Sequence, residues 1–219
     1  MNRAVVVVML VLGLVTGCSR VVAGSSVVTA AQRALPTPAE LTDLLGTPMR
    51  GDSTGITDEL RGNSSPGQEC DGVVHAGVGR TYDGAPIRAT VRRVWSTPPG
   101  SDQPVNVAVA IVELDSAATV QSWYRRIATR WGQCRGITVE DRLSDDLTFV
   151  QAIVGTNDVE GASNAEVRVS TKDGLITPFT NWRSLTSHSR YLIDVELNGR
   201  GADVEKAGAI AGLVADKLP

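Results

Sequence analysis

Trp182-Arg-Ser-Leu-Thr-Ser-His188 and Tyr191-Leu-Ile-Asp-Val-Glu-Leu197 are two strand-like runs with two residues between them, and Asn198-Gly199 follows. Runs of this composition so close together read as an antiparallel hairpin. Asn198-Gly199 then turns the chain into a closing helix over 203–218, where Val204, Ala207, Ala211, Val214 and Leu218 make one face. Strand follows strand directly here, with no helix between them. That excludes a parallel βαβ repeat for this part of the chain.

The same pattern extends toward the N-terminus. Ile87 to Trp95 alternates Ile87, Ala89 and Val91 with Arg88, Thr90 and Arg92, a half-buried strand. Val105 to Leu114 is more apolar and reads as central in its sheet. Asp115 or Ser116 starts the strongest helix, 117–131, with Val120, Trp123, Ile127 and Trp131 at helical spacing and Gly132 as its stop. Strands follow at 137–141, 147–154 and 165–171. Thr37-Pro38-Ala39-Glu40 opens a short helix that carries Leu41, Leu44 and Leu45 and ends at Gly46. A loop is expected from Met49 to Gly67, then a short helical or irregular segment with Cys70, Val73 and Val74. The order predicts an α+β fold, a two-layer sandwich of an antiparallel β-sheet with helices packed on one face.

The N-terminus carries an address. Met1-Asn2-Arg3 is followed by an apolar run from Ala4 to Val15 and then Thr16-Gly17-Cys18. A charged start, an apolar centre and small residues before a cut site form a secretory signal peptide. Cysteine directly after the small residues makes it the lipoprotein kind, in which Cys18 takes a palmitate-type acyl chain. The run of 12 apolar residues is short of the roughly 20 needed to span a bilayer as a helix. The expected organisation is a leader over 1–17, a flexible tether over 18–37 and one domain over 38–219. The expected location is the cell membrane, lipid-anchored on its extracytoplasmic face.

Charge and cysteine content narrow the function. A net charge of -3 leaves no basic footprint for nucleic acid. Apart from Cys18 there are two cysteines, Cys70 and Cys134. Outside the cytoplasm such a pair reads as a disulfide, and two sulfurs fall short of a four-ligand zinc site. The only histidines are His75 and His188, and no nucleophile elbow, phosphate loop or H-E-x-x-H is present. Asp145-Asp146 and Asp158 with Glu160 lack calcium-loop spacing. No catalytic residue, metal or cofactor is therefore assigned. Trp95 and Trp182 lie beside Arg92, Arg93 and Arg183. An aromatic beside guanidinium groups recognises anionic or sugar-like ligands, or closes the core while its neighbours meet water.

Several of these features occur together in one known family. Glu69-Cys70, then Tyr82, a strand pair, and a helix ending Trp131-Gly132-Gln133-Cys134 resemble the PknH-like extracellular sensor domain. The Trp182 strand, Tyr191-Leu-Ile-Asp-Val195 and the alanine-rich closing helix extend the resemblance over about 38–219. That family caps mycobacterial transmembrane serine/threonine kinases and also occurs as free lipoproteins. The resemblance implies an α/β sandwich with a cleft for an extracellular ligand, and usually two disulfides. Cys70 and Cys134 match the first. The second would join the start of the Trp182 strand to the end of the Tyr191 strand, where this chain has Asn181 or Trp182 and Asn198. A looser C-terminal hairpin is implied. Candidate ligand contacts are Tyr82, Arg92, Trp95, Trp182 and Arg183. The expected protein is a non-enzymatic, sensor-like module of the cell envelope that binds an extracellular ligand or an envelope protein. A lipid carrier would instead need a large internal cavity, and a hydrolase a serine and a histidine together in a cleft.

Overall fold

The computed structural model describes residues 29–62, 69–102, 104–159 and 161–219. The leader, Cys18 and residues 19–28 of the expected tether lie outside the described residues. Among the described residues eight strands form one antiparallel sheet: β1 (Arg50–Thr57), β2 (Ile87–Ser96), β3 (Val105–Leu114), β4 (Thr138–Arg142), β5 (Thr148–Val159), β6 (Ala162–Thr171), β7 (Phe179–His188) and β8 (Tyr191–Gly199). Their spatial order is β1-β2-β3-β8-β7-β6-β5-β4. The hairpin read from the sequence is β7–β8, paired from His188↔Tyr191 through Asn181↔Asn198. Ser189 adopts φ 50 in its two-residue turn.

Among the described residues, five α-helices accompany the sheet: α1 (Ala30–Ala34), α2 (Pro38–Leu45), α3 (Asp71–Val74), α4 (Ala117–Gln133) and α5 (Val204–Ala215). Side chains cap their first turns: Thr37 accepts from Glu40 N, Ser116 from Thr119 N and Asp203 from Lys206 N. Helix α4 continues through Gly132, the expected stop, and is capped by Cys134.

Two segments differ from the sequence expectation. Residues 29–37, expected in the tether, begin the fold. Thr29 and Gln32 form a capping box at α1, and Ala31, Ala34 and Leu35 are buried. The small residues and prolines that resemble a linker here serve close packing. The expected loop after Met49 contains β1, an edge strand whose register with β2 shifts between Gly51 and Ile56. An irregular edge tolerates the Gly and Asp content that hides the strand from a propensity reading.

Successive residues of a strand face opposite sides. On one side Val107, Val109 and Ile111 of β3 and Ile193, Val195 and Leu197 of β8 pack with Trp95, Leu41, Ile210 and Val214. On the other, Val112, Leu114 and Leu192 pack with Val73, Val74, Val120, Ile127 and Trp131. The α+β class and the antiparallel sheet are those expected, but the helices are divided between the faces. Helices α1, α2 and α5 cover one face, and α3 and α4 the other. The cause is visible in β3, whose residues from Val107 to Val112 are buried on both sides, so a single helical layer would leave half of them in water.

Candidate functional site

On the face covered by α4, the segment 70–82 lies across the sheet as a strap. It contains α3 and a 3-10 turn over Gly79–Tyr82. Its start is fixed to the end of α4 by the Cys70–Cys134 disulfide. The register sets Arg183 opposite Glu196 and Leu185 opposite Asp194, so all four point to this face. These polar side chains of β7 and β8 bind the backbone of the strap. Arg183 Nη1 donates to Val73 O at 2.7 Å, and Asn181 Nδ2 donates to Val74 O at 3.0 Å. Ala76 N donates to Glu196 Oε2 at 2.9 Å, and Gly77 N donates to Asp194 Oδ2 at 2.8 Å. Gly77 adopts φ +69, and a Cβ there would stand 2.7 Å from Ala110 Cβ. Only glycine lets the strap pass this close to β3.

The charges under the strap compensate one another. Arg183 and Asp194, both fully buried, form an ion pair through Nη2 and Oδ1. The Tyr82 hydroxyl donates to Asp194 Oδ2 at 3.1 Å, and the Arg183 guanidinium lies 5.2 Å from the Trp131 ring centre. Burial raises the Asp194 carboxyl above its ordinary value, against the opposing effects of Arg183 and the Gly77 amide. Burial, reinforced by Asp194, likewise pushes the Tyr82 phenol well above its usual range.

His75 leads from this network to a cavity. Its Nε2 lies 3.2 Å from Asp141 Oδ2 on β4, and its Nδ1 lies 3.6 Å from Glu196 Oε1 on β8. Gln151 Nε2 is 3.1 Å from His75 Nε2, and Arg61 Nη2 is 3.3 Å from Asp141 Oδ2. Burial alone would lower the His75 pKa, but the bonds to Asp141 and Glu196 outweigh it and the net direction is upward. Asp141 is lowered, chiefly by its bond to His75. Burial acts to raise Glu196, yet His75, Arg183 and the Ala76 amide hold it down at about 2. The ring lies between two carboxylates, both of which favour its charged form.

The cavity has a volume of about 210 Å³. Arg61, His75, Asp141, Gln151, Asn181 and Glu196 form its polar side, and Leu143, Phe149, Val169 and Phe179 its apolar walls. Asn181 Oδ1, buried beside it, has no hydrogen-bond partner among the described residues. Asn181 is the register partner of Asn198, and both line the cavity. The position where the resemblance implies a second disulfide is therefore a pair of amides beside a hollow, in a hairpin whose register is continuous.

The sheet divides the residues singled out from the sequence. Tyr82, Arg92 and Arg183 lie on the strap face, and Trp95 and Trp182 on the opposite one. Tyr82, Trp95 and Arg183 are buried. Trp95 belongs to the core, and Tyr82 and Arg183 hold the strap, so none of the three presents a surface to a solute. Arg92 and Trp182 are partly exposed. Sequence reasoning missed His75, Asp141, Gln151 and Glu196 as a group. One signal was present: Asp194 and Glu196 alternate with Ile193, Val195 and Leu197, placing acids at period two inside a core strand. His75 is bonded to a carboxylate and an amide rather than to the hydroxyl a hydrolytic triad needs.

The sequence profile of the PknH-like extracellular domain matches residues 26–217. Among solved structures, the extracellular domain of PknH from Mycobacterium tuberculosis superposes with a TM-score of 0.69 at 19% identity, covering 84% of this chain and 92% of that one. No curated protein matches the chain. Among the described residues, no helix is long and apolar enough to cross a membrane. The order of elements, the Cys70–Cys134 bond and the profile match agree: the chain belongs to the family of PknH-like extracellular domains.

Proposed function

We propose that this protein is a lipid-anchored, sensor-like module on the extracytoplasmic face of the cell membrane, which binds a small polar ligand in the His75 cavity without transforming it. The observation that carries the reading is His75 held between Asp141 and Glu196 at the wall of a 210 Å³ hollow. Burying so many ionisable groups is costly unless they are paired, and here the pairing also shapes a recess with hydrogen-bonding groups on one side and aromatic walls on the other. Such a mixed lining is characteristic of small-molecule sites. Its volume, below the about 300–1,000 Å³ of drug-sized sites, suits a ligand of one ring or a short chain. Membership of an extracellular-domain family and the leader with Cys18 support the address.

Binding rather than chemistry is favoured because each ionised group of the cavity is held by another, leaving no free base beside a nucleophile among the described residues. Carriage of an apolar lipid is disfavoured by two packed cores and by polar groups in the cavity. Native mass spectrometry of the protein purified from its own envelope tests the reading. A co-purifying small molecule that is retained by the parent and lost from Gln151→Leu supports it. A parent that carries no adduct and takes up none from an envelope extract overturns it.

A further inference from the structure

We propose that the groove between α5 and β6, on the face opposite His75, binds a neutral oligosaccharide. Gly208 and Gly212 stand about one turn apart on α5, and no heavy atom lies within 4 Å of where either would carry a Cβ. Glycine inside a helix is destabilising relative to alanine, and nothing in the fold requires it at these positions. Both instead line a hollow of about 560 Å³, whose opposite wall is Asn157, Asn164 and Thr186. A second hollow of about 180 Å³ shares Asn157 and Asn164 and continues the groove to Trp182.

A second observation points to an occupant. Asn164 is only 7% exposed, and its Oδ1 has no hydrogen-bond partner among the described residues. Buried polar atoms are normally satisfied, so a wall that holds an unsatisfied amide oxygen suits a ligand that supplies hydroxyl groups.

The chemistry of the groove selects among ligands. An acyl chain would cover the Asn157 amide and leave Asn164 Oδ1 without a partner. A peptide adding by backbone pairing needs a free strand edge, and β6 is paired on both sides, to β5 and β7. Among the described residues, Glu205 is the only charged one of the larger hollow, and Arg135 and Glu166 of the smaller one have opposite signs. No net positive site awaits an anion. Amides facing a helix wall built largely of glycine and alanine, with Trp182 along the path, fit flat hydroxylated rings: the amides bond hydroxyl pairs, and the rings lie against the glycine backbone and the indole.

Calorimetric titration of the purified protein with cellotriose, maltotriose and chitotriose tests the proposal, with trialanine as the control peptide. At least one trisaccharide is expected to bind and trialanine not to bind. Gly208→Ala with Gly212→Ala fills open space on a helix, so the melting temperature is expected to rise by roughly 2–4 °C while trisaccharide affinity falls at least tenfold. Asn164→Leu examines the other wall without touching the helix and should also lose binding, with the melting temperature retained. Failure of all three sugars to bind, affinity unchanged in both variants, or binding of trialanine in their place would each overturn the proposal. None of these results depends on the His75 cavity.

Discussion

His75 Nδ1 lies 3.6 Å from Glu196 Oε1, which ties the strap to the central strand of the sheet through a pair that exists only while the ring is charged. The His75 pKa is raised in the fold, so its contribution is complete below its ordinary value of about 6.5 and is lost as pH rises through the raised one. Asp141 and Glu196 are lowered, the latter to about 2, so their contributions are complete above the ordinary carboxylate range and are lost as pH falls. Stability should therefore be greatest between about pH 4.5 and 6.5 and decline on both sides. Urea midpoints measured from pH 3 to 9 check this. His75→Gln should abolish the alkaline decline, and a variant that keeps it would show that another group is responsible.

Arg183→Met should be strongly destabilising, by about 3–5 kcal/mol, because it leaves Asp194 buried without its counter-charge. Adding Asp194→Leu should recover part of that loss, since the double variant no longer buries an unpaired charge. The recovery will be incomplete: Asp194 also accepts from Gly77 N and the Tyr82 hydroxyl, and Arg183 also donates to Val73 O. A double-mutant cycle by chemical denaturation gives the coupling energy. Strictly additive losses would contradict the pairing.

The Cys70–Cys134 bond spans a sequence separation of 64 residues. Chain-entropy arguments assign a loop of that length about 4 kcal/mol. Replacing both cysteines by serine should lower the urea midpoint accordingly and loosen the strap first. Hydrogen exchange is expected to accelerate at Ala76 and Gly77 before it does in β3. Thiol titration of the parent under denaturing, non-reducing conditions should find no free thiol from this pair.

Cys18→Ala should remove the proposed acyl anchor. The variant is expected in the soluble fraction after cell disruption, whereas the parent sediments with membranes. Sedimentation of both would refute the anchor.

Much of the fold was legible because strand alternation and helix spacing are local. The hairpin, α4 and α5 all follow from residues within one window. The division of helices between two faces was not legible, because it depends on which strands become neighbours. β3 pairs with β8, which is distant in sequence. The candidate site was hidden for the same reason. His75, Asp141, Gln151 and Glu196 lie in four separate segments, and only the register across β4, β5, β6, β7 and β8, with the strap laid over it, brings them together. The disulfide was readable because counting the cysteines sufficed.

The strand order has a consequence for how the protein is made. β8 lies between β3 and β7, at the middle of the sheet. Until residues 191–199 are available, β1-β2-β3 and β4-β5-β6-β7 are two open half-sheets, each exposing an unpaired edge and apolar faces. Folding must wait for nearly the whole chain and then join segments far apart in sequence, which makes it slow. A chain that cannot close its sheet early remains threadable, which suits passage across a membrane before folding, and its two exposed edges are where aggregation would begin.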